Sequence, residues 1–549
     1  MKLKLVLLAF AAIGSLLSVS AAAQSYAITN ARIVTVSGDA VEKGTVVVRD
    51  GLIESVGASA KVPADAQVFD GTGLTVYPGF FDTLTSLGIQ PAQPAGQRGP
   101  GVGAAAAQPA AAPQSNSNYP AGLRPEESVA DDLRAGDSQF EANRNAGFTT
   151  VLTVGRTGIF NGRSAVIDLA GDTASAMIIK APFAEHISFS TIGGGYPGSL
   201  LGTFSALRQM FEDAQRLQEL QKMYAANPRG MKRPDADQSL EALIPVLNGQ
   251  IPAVFNANRE IEIVRALDLA KEFKLKAIIA GGQEAWKVAG RLKAQNVPVL
   301  LSLNFPKRTA AASSDADPDS LELLRFRAET PKAAAKLQQA GVKFAFESGG
   351  ATSVNDFFSN AGKAVEGGLS KDDAVRAMTL GAAQLLGIDD RLGSIEPGKI
   401  ANLAVVRGDV FAKDRFVRYV FVDGKPFEQK EPPKQPERGR PNGTAATPSI
   451  ANVAGNFNIT IDVPGQTLTG TLAVVQQAAI ITGTIQTQLG TSPIKDGKVT
   501  AEGFTFNATV EYAGSTIDII VRGKVTGNEV SGTIETPQGV VPFSGTRNP

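Results

Sequence analysis

The chain of 549 residues contains no cysteine and a single histidine. Tight zinc and iron sites in proteins are built mostly from imidazole and thiolate, so a site made of paired histidines or of cysteines is excluded anywhere in the sequence. Oxygen ligation by Asp, Glu and backbone carbonyls stays open; it suits calcium or magnesium and needs several carboxylates converging on one point. The lack of cysteine also excludes disulfides and a lipid-modified cysteine, leaving core burial to carry the stability of an exported form. Net charge is absent as well, with 53 basic residues against 53 acidic ones. That balance favours neither nucleic acid nor an anionic membrane as a partner. Beyond residue 17 no apolar run has the length of a membrane helix, which predicts no membrane span.

What is present begins with a leader. Lys2 and Lys4 precede an apolar run from Leu5 to Ala12 that continues to Leu17, and Ala21-Ala22-Ala23 precede Gln24. This reads as a secretory signal peptide over residues 1–23, and the mature chain is expected to be secreted, into a bacterial periplasm. The remaining length exceeds one ordinary core and predicts two or three domains.

Short β-type runs separated by turn residues occupy 27–36, 44–49, 51–56 and 68–71, and the same texture returns at 392–406 and 417–424. Between these flanks strand-like and helix-like segments alternate: 148–152, 252–255 followed by a helical run through Phe273, 276–280 followed by 284–294, then 298–303 and 342–346. Such alternation predicts parallel strands with crossover helices, closed over about 300 residues into a β/α barrel. A helix is expected from Ser370 to Leu386, with Ser370 and Asp373 in capping-box spacing. Residues 90–119, rich in Ala, Pro, Gly and Gln, read as a mobile loop bordering the active face, and 427–448, rich in Pro and charge, as an extended linker. From 450 to 549, about eight alternating runs with Thr-Gly-Thr or Ser-Gly-Thr at 469, 482, 531 and 544 suggest a small all-β barrel or sandwich.

The most specific stretch is Gly73 to Ile89, containing Pro78-Gly79-Phe80-Phe81-Asp82-Thr83-Leu84-Thr85-Ser86. It resembles the first barrel strand of the amidohydrolase superfamily, whose pattern is Pro-Gly, two apolar residues, then Asp-x-His-x-His. Similarity to the imidazolonepropionase-like branch extends over most of 27–425, through Gly147 to Val151, Gly162 to Gly171, Glu284 to Ala289 and Leu392 to Lys399. The resemblance implies an α/β fold: a (β/α)8 TIM-like barrel over 79–391, a small composite β-sandwich from both flanks (24–78 and 392–426), a linker (427–448) and a C-terminal all-β domain (449–549).

The family binds zinc or iron and hydrolyses carbon–nitrogen bonds other than peptide bonds, such as cyclic or linear amides. Its two first-strand histidine positions fall on Leu84 and Ser86. A bridging position falls on Asp168, the fifth-strand phrase on Asn256-Ala257-Asn258-Arg259, the sixth-strand histidine on Gly281, and the eighth-strand aspartate nearest Glu347. Leu84 and Gly281 offer no donor atom and Asn256 only a neutral one. The expectation is therefore a protein without metal or other cofactor, catalytically degenerate, with Leu84, Ser86, Asp168, Asn256, Asn258 and Gly281 in a pocket for a small polar or amide-containing ligand. Two alternatives stay open. One is an amide hydrolase that uses Glu347 and Asp82 as catalytic carboxylates, or an oxygen-ligated divalent ion. The other is a non-catalytic subunit that pairs with an intact amidohydrolase, or a homo-oligomer. His186 lies outside every ligand position and is expected on a surface or loop, with Ser188 turned away from it. Arg259 and Lys287 are expected on solvated faces and Trp286 in packing, and Gly193 to Pro197 is given no nucleotide role.

Overall fold

The computed structural model describes residues 24–89, 119–136, 138–155, 157–191, 196–308, 319–349, 354–412, 414–430, 452–463, 466–477, 479–488, 490–499, 503–512, 515–536 and 539–548. The expected leader, nearly all of the 90–119 stretch, most of the 427–448 linker and Gly193 to Gly195 lie outside them. The chain divides into two compact units at Pro433 and Lys434. Among the described residues no helix is long and apolar enough to cross a membrane.

In the first unit, β1 (Ser25–Ile33), β2 (Val41–Arg49), β3 (Leu52–Gly57), β4 (Gln67–Asp70) and β5 (Leu74–Pro78) precede β6 (Phe80–Thr85), β7 (Phe148–Thr153), β8 (Phe160–Arg163), β9 (Ala165–Asp168) and β10 (Ile178–Lys180). They are followed by β11 (Glu185–Ser188), β12 (Ala253–Ala257), β13 (Ala277–Gly281), β14 (Val299–Ser302), β15 (Phe344–Glu347), β16 (Leu403–Arg407), β17 (Phe416–Val422) and β18 (Lys425–Glu428).

The two flanks join in one eight-stranded sheet. Its order is β18-β17-β16-β5-β1-β2-β3, with β4 also on β1, and the flanks meet where β16 runs antiparallel to β5 from Leu403 opposite Pro78 to Arg407 opposite Leu74. A single continuous sheet can wrap its own core because β1 bends: Asn30 takes φ 58°, the register with β2 shifts there, and β1 pairs β4 before the bend and β5 after it. Tyr26, Phe69, Tyr419 and Phe421 pack edge to face inside the fold of the sheet.

The intervening strands carry apolar residues on both faces, the mark of strands covered on both sides. Val254, Ile278, Leu300 and Ala345 share one cluster, while Phe255, Ile279, Leu301 and Phe346 join another with Ile263 and Leu267 of the helix Glu260–Glu272. β11 to β15 form an unbroken parallel series, and β6 is parallel to β7. The expected uniform alternation fails between β7 and β11. There the chain runs the other way, with β9 antiparallel to β7 and β8 antiparallel to β11. Only residues 154–159 separate β7 from β8, too few for the dozen or more that a parallel crossover requires.

The helix expected over 370–386 is two, Lys371–Ala377 and Leu380–Leu386. Ser370 does cap the first, accepting from Asp373 N at 3.0 Å. Thr379 breaks the run at φ −135°, ψ −103°, its hydroxyl donating to Val375 O at 2.7 Å.

The second unit is a closed antiparallel barrel. Its strands are β19 (Gly455–Val463), β20 (Gln466–Gln477), β21 (Ile480–Thr487), β22 (Gly490–Pro493), β23 (Lys495–Val499), β24 (Phe504–Tyr512), β25 (Ser515–Thr526), β26 (Glu529–Thr536) and β27 (Gly539–Arg547). Sequential neighbours pair except β22 and β23, which both pair β21, and β19 pairs β27, so nine strands fill about eight staves. Phe457, Leu472, Ile485, Phe506, Val521 and Phe543 fill the interior. The recurring Thr-Gly-Thr and Ser-Gly-Thr motifs have a geometric origin. A Cβ on Gly470, Gly483, Gly532 or Gly545 would collide with a backbone carbonyl of the adjacent strand, from Gln486, Ala473, Arg522 and Asn458 respectively. These glycines let neighbouring backbones close in where the strands coil. Gly483→Ala should therefore destabilise this unit by about 2 kcal/mol or more, while Thr482→Ala beside it changes stability by at most about 0.5 kcal/mol. Calorimetric unfolding of the full chain measures both.

Candidate functional site

Parallel strands of this kind present their functional groups where they end. The last or next-to-last residues of five successive strands are Ser188, Asn256, Gly281, Ser302 and Glu347, brought level by the registers Ser188 opposite Asn256 and Ser302 opposite Glu347. Asn256 is half-buried, and its Nδ2 donates to Ser188 Oγ at 2.7 Å and to Asn161 Oδ1 at 3.1 Å. Ser188 Oγ in turn donates to Asn161 Oδ1 at 2.6 Å, closing a neutral triad across β8, β11 and β12.

Asp82 and Glu347 stand at the junction of β6 and β15, both buried. Asp82 Oδ1 accepts from Ser348 N at 2.9 Å and Leu84 N at 3.3 Å, so the carboxylate clasps the chain leaving β15. Glu347 Oε2 accepts from Gly349 N. Asn304 extends the clasp: its N–H donates to Ser302 Oγ at 3.2 Å and its Nδ2 to Gly349 O at 3.3 Å, and Asn304 O accepts from Gln283 Nε2 at 2.8 Å. Burial pushes the Asp82 carboxyl up to about 6, opposed by the Ser348 and Leu84 hydrogen bonds. Burial, and then the charge of Asp82, push Glu347 up to about 8, against hydrogen bonds from Gly349 and Ser302.

Asp168 does not join them. Its register partner is Thr150, near the start of β7, whereas Thr153 at the end of β7 lies beside Thr85. Asp168 therefore sits at the opposite end of the strands, a consequence of the reversed direction of β9. There Oδ1 accepts from Thr150 Oγ1 and Asn402 Nδ2, each at 2.8 Å, and burial lifts the carboxyl to about 7.

His186 is also corrected. It is fully buried, in register with Val254, and its Nε2 lies 3.0 Å from Ser164 Oγ. Residues two apart on a strand share a face, so Ser188 stands on the same side as His186. Burial lowers the imidazole to about 3, which keeps it neutral. Asn161 and Ser188 were absent from the sequence-based set; the period-two alternation of β11 is the signal that points to Ser188. Trp286 packs as expected, half-buried with Lys336 Nζ 3.3 Å from its ring centroid, and Lys287 is tied to Glu284 at 2.7 Å.

The residues at the family's metal positions do not fit zinc or iron. Leu84 packs against the apolar cluster of Val254 and Leu300. Gly281, at φ +88°, leaves room that the Asn258 side chain fills, its Oδ1 2.5 Å from where a Cβ would stand. Asn256 donates its amide hydrogens within the triad. Among the described residues no three His, Cys, Asp or Glu side chains are arranged to hold an ion.

The buried acids have a consequence for stability. Folded Glu347 holds a proton up to about pH 8 that the unfolded chain releases near 4.5. Its contribution is fully present below pH 4.5 and is lost as pH rises to 8, by about 1.4 kcal/mol per pH unit. Glu347→Gln carries no such proton, so its stability should decline less between pH 5 and 8 than that of the unaltered protein. Asp82 and Asp168 retain part of the slope, and denaturant titrations at pH 5, 6.5 and 8 measure the difference.

The amidohydrolase family profile matches residues 302–427. The imidazolonepropionase of Picrophilus torridus is 40% identical over 62 residues, 10% of this chain. The match spans 16% of that curated relative's length. A solved amidohydrolase from Thermotoga maritima MSB8 superposes with a TM-score of 0.61 at 26% identity, covering 74% of this chain and 100% of that one. With the strand registers and the Pro78-Gly79 junction, these matches show that the chain belongs to the amidohydrolase superfamily.

Proposed function

We propose that this protein binds a small, uncharged, amide-containing molecule at the C-terminal ends of its parallel strands and does not hydrolyse it. The observation that carries this reading is the neutral Asn161–Ser188–Asn256 triad, in which Ser188 and Asn256 are half-buried and Asn256 stands where the family resemblance implies a metal ligand. Side-chain amides and a hydroxyl offer both donors and acceptors, which matches an amide ligand. The carboxylates of Asp82 on β6 and Glu347 on β15 are turned to the backbone of the β15 exit. In this reading β6 to β15 close into a (β/α)8-like ring, supported by the hydrogen bond from Thr83 Oγ1 on β6 to Phe346 O on β15 at 2.9 Å. The leader-like residues 1–23 support export to the periplasm.

A second reading rests on the same carboxylates. Two neighbouring acids whose pKa values lie apart, at about 6 and 8, are suited to act as base and acid in amide hydrolysis. The two readings separate in one set of measurements. With a panel of cyclic amides and dipeptides, calorimetric titration should show binding without product formation, and Asn256→Ala should weaken it by about tenfold or more. Product formation abolished by Glu347→Gln would establish the hydrolase instead. Elemental mass spectrometry of protein prepared without tag or chelator should find less than about a tenth of an equivalent of zinc or iron.

A further inference from the structure

A cavity of about 610 Å³ opens between the residues that follow β12 and β13 and the helix Leu321–Glu329. That volume lies within the roughly 300–1,000 Å³ that hold a small organic ligand. Its walls are largely apolar: Trp286, Leu323 and Phe326 are half-buried and Leu321 is 61% exposed. The helix buries none of its residues, although three of its apolar side chains line the cavity. A helix of nine residues is marginal by itself and depends on packing an apolar face. Here that face fronts an open space, and an apolar molecule in the cavity would complete its packing.

The charged groups of the lining fall into two classes. Glu284 is held by Lys287 at 2.7 Å, and Glu329 by Lys332 at 2.9 Å and Lys336 at 2.7 Å, so these charges are matched within the wall. Arg259, Glu322 and Arg325 are exposed, and among the described residues their side chains make no hydrogen bond and no ion pair within 4.0 Å. Arg259 acts on Glu284 only as a more distant charge. The unmatched charges thus carry both signs: a simple anion would meet Glu322, and a simple cation would meet two guanidinium groups. A zwitterion with an apolar body suits all three. We propose that this cavity binds a short zwitterionic peptide of dipeptide size with large apolar side chains. Its carboxylate meets a guanidinium, its ammonium meets Glu322, and its side chains cover Trp286 and Phe326. Asn161, Ser188 and Asn256 do not line the cavity, so the site stands apart from the proposed function.

The test uses the full chain. Trp286 is its only tryptophan, so intrinsic fluorescence reports on this cavity directly. Leucyl-leucine should change the fluorescence saturably, with a dissociation constant of roughly 10⁻⁴ M. Its C-terminal amide and its N-acetyl derivative, each lacking one charge, should bind about tenfold more weakly. Seryl-serine should not bind. Glu322→Gln, and Arg259→Gln combined with Arg325→Gln, alter exposed side chains and should keep the fold by circular dichroism while weakening leucyl-leucine about tenfold. Asn256→Ala should leave the fluorescence response unchanged. A response lost in Asn256→Ala, or calorimetric binding without any fluorescence response, would place the dipeptide elsewhere and overturn the proposal. Undiminished binding in the folded glutamine variants, equal binding of the amide and acetyl derivatives, or no binding by either method would overturn it as well.

Discussion

Asn402 holds the first unit together. Its carbonyl accepts from Gly79 N at 2.7 Å, its Nδ2 donates to Thr150 Oγ1 at 3.1 Å and Asp168 Oδ1 at 2.8 Å, and its Oδ1 accepts from Asp423 N at 2.7 Å. One buried residue thereby links the junction of β5 and β6, through its main-chain carbonyl, with the start of β7, the end of β9 and the turn between β17 and β18, through its side chain. Gly79 is fixed by the same joint, since a Cβ there would overlap the Thr149 side chain. The Pro78-Gly79 signature thus has a mechanical basis: it is the point where the wrapped sheet hands the chain to the parallel strands, and no larger residue fits.

The polar groups divide accordingly between two ends. At the Asn402 end, Thr150, Asp168 and Asn402 satisfy one another in the interior, as buried polar groups must. At the other end, Asp82 and Glu347 bond the backbone of residues 348 and 349, while Asn161, Ser188 and Asn256 bond one another, with Ser188 and Asn256 half-buried. The joint and the clasp each tie separate strands together, and the triad, where the proposed ligand would bind, takes part in neither.

Much of this architecture is legible in the residues. β12 to β15 appear where apolar runs begin and end, and the flanking strands announce themselves by turn residues. The direction of β9 is harder, because a four-residue apolar run reads the same both ways; only the six residues between β7 and β8 betray the reversal, through the length a crossover demands. That is why Asp168 was expected at the strand ends and lies at the opposite end. His186 misleads for another reason: a lone polar residue reads as exposed, and its burial depends on Ser164, a residue 22 positions away. The glycines of the Thr-Gly-Thr repeats stand out in sequence, yet their cause, a carbonyl on the neighbouring strand, exists only once the barrel closes.

The chemistry of the strand ends follows from charge as much as from shape. At neutral pH Glu347, at about 8, keeps its proton, and the single charge on Asp82 faces two backbone N–H groups. At the triad an anionic ligand would surrender its hydration and find no positive group to replace the water. A cationic ligand would likewise find no charged partner in the neutral triad. A neutral amide meets neither obstacle, because it exchanges hydrogen bonds with water for equivalent ones with Asn256, Ser188 and Asn161. In the proposed reading, a preference for uncharged ligands follows from the neutrality of the Asn161–Ser188–Asn256 triad.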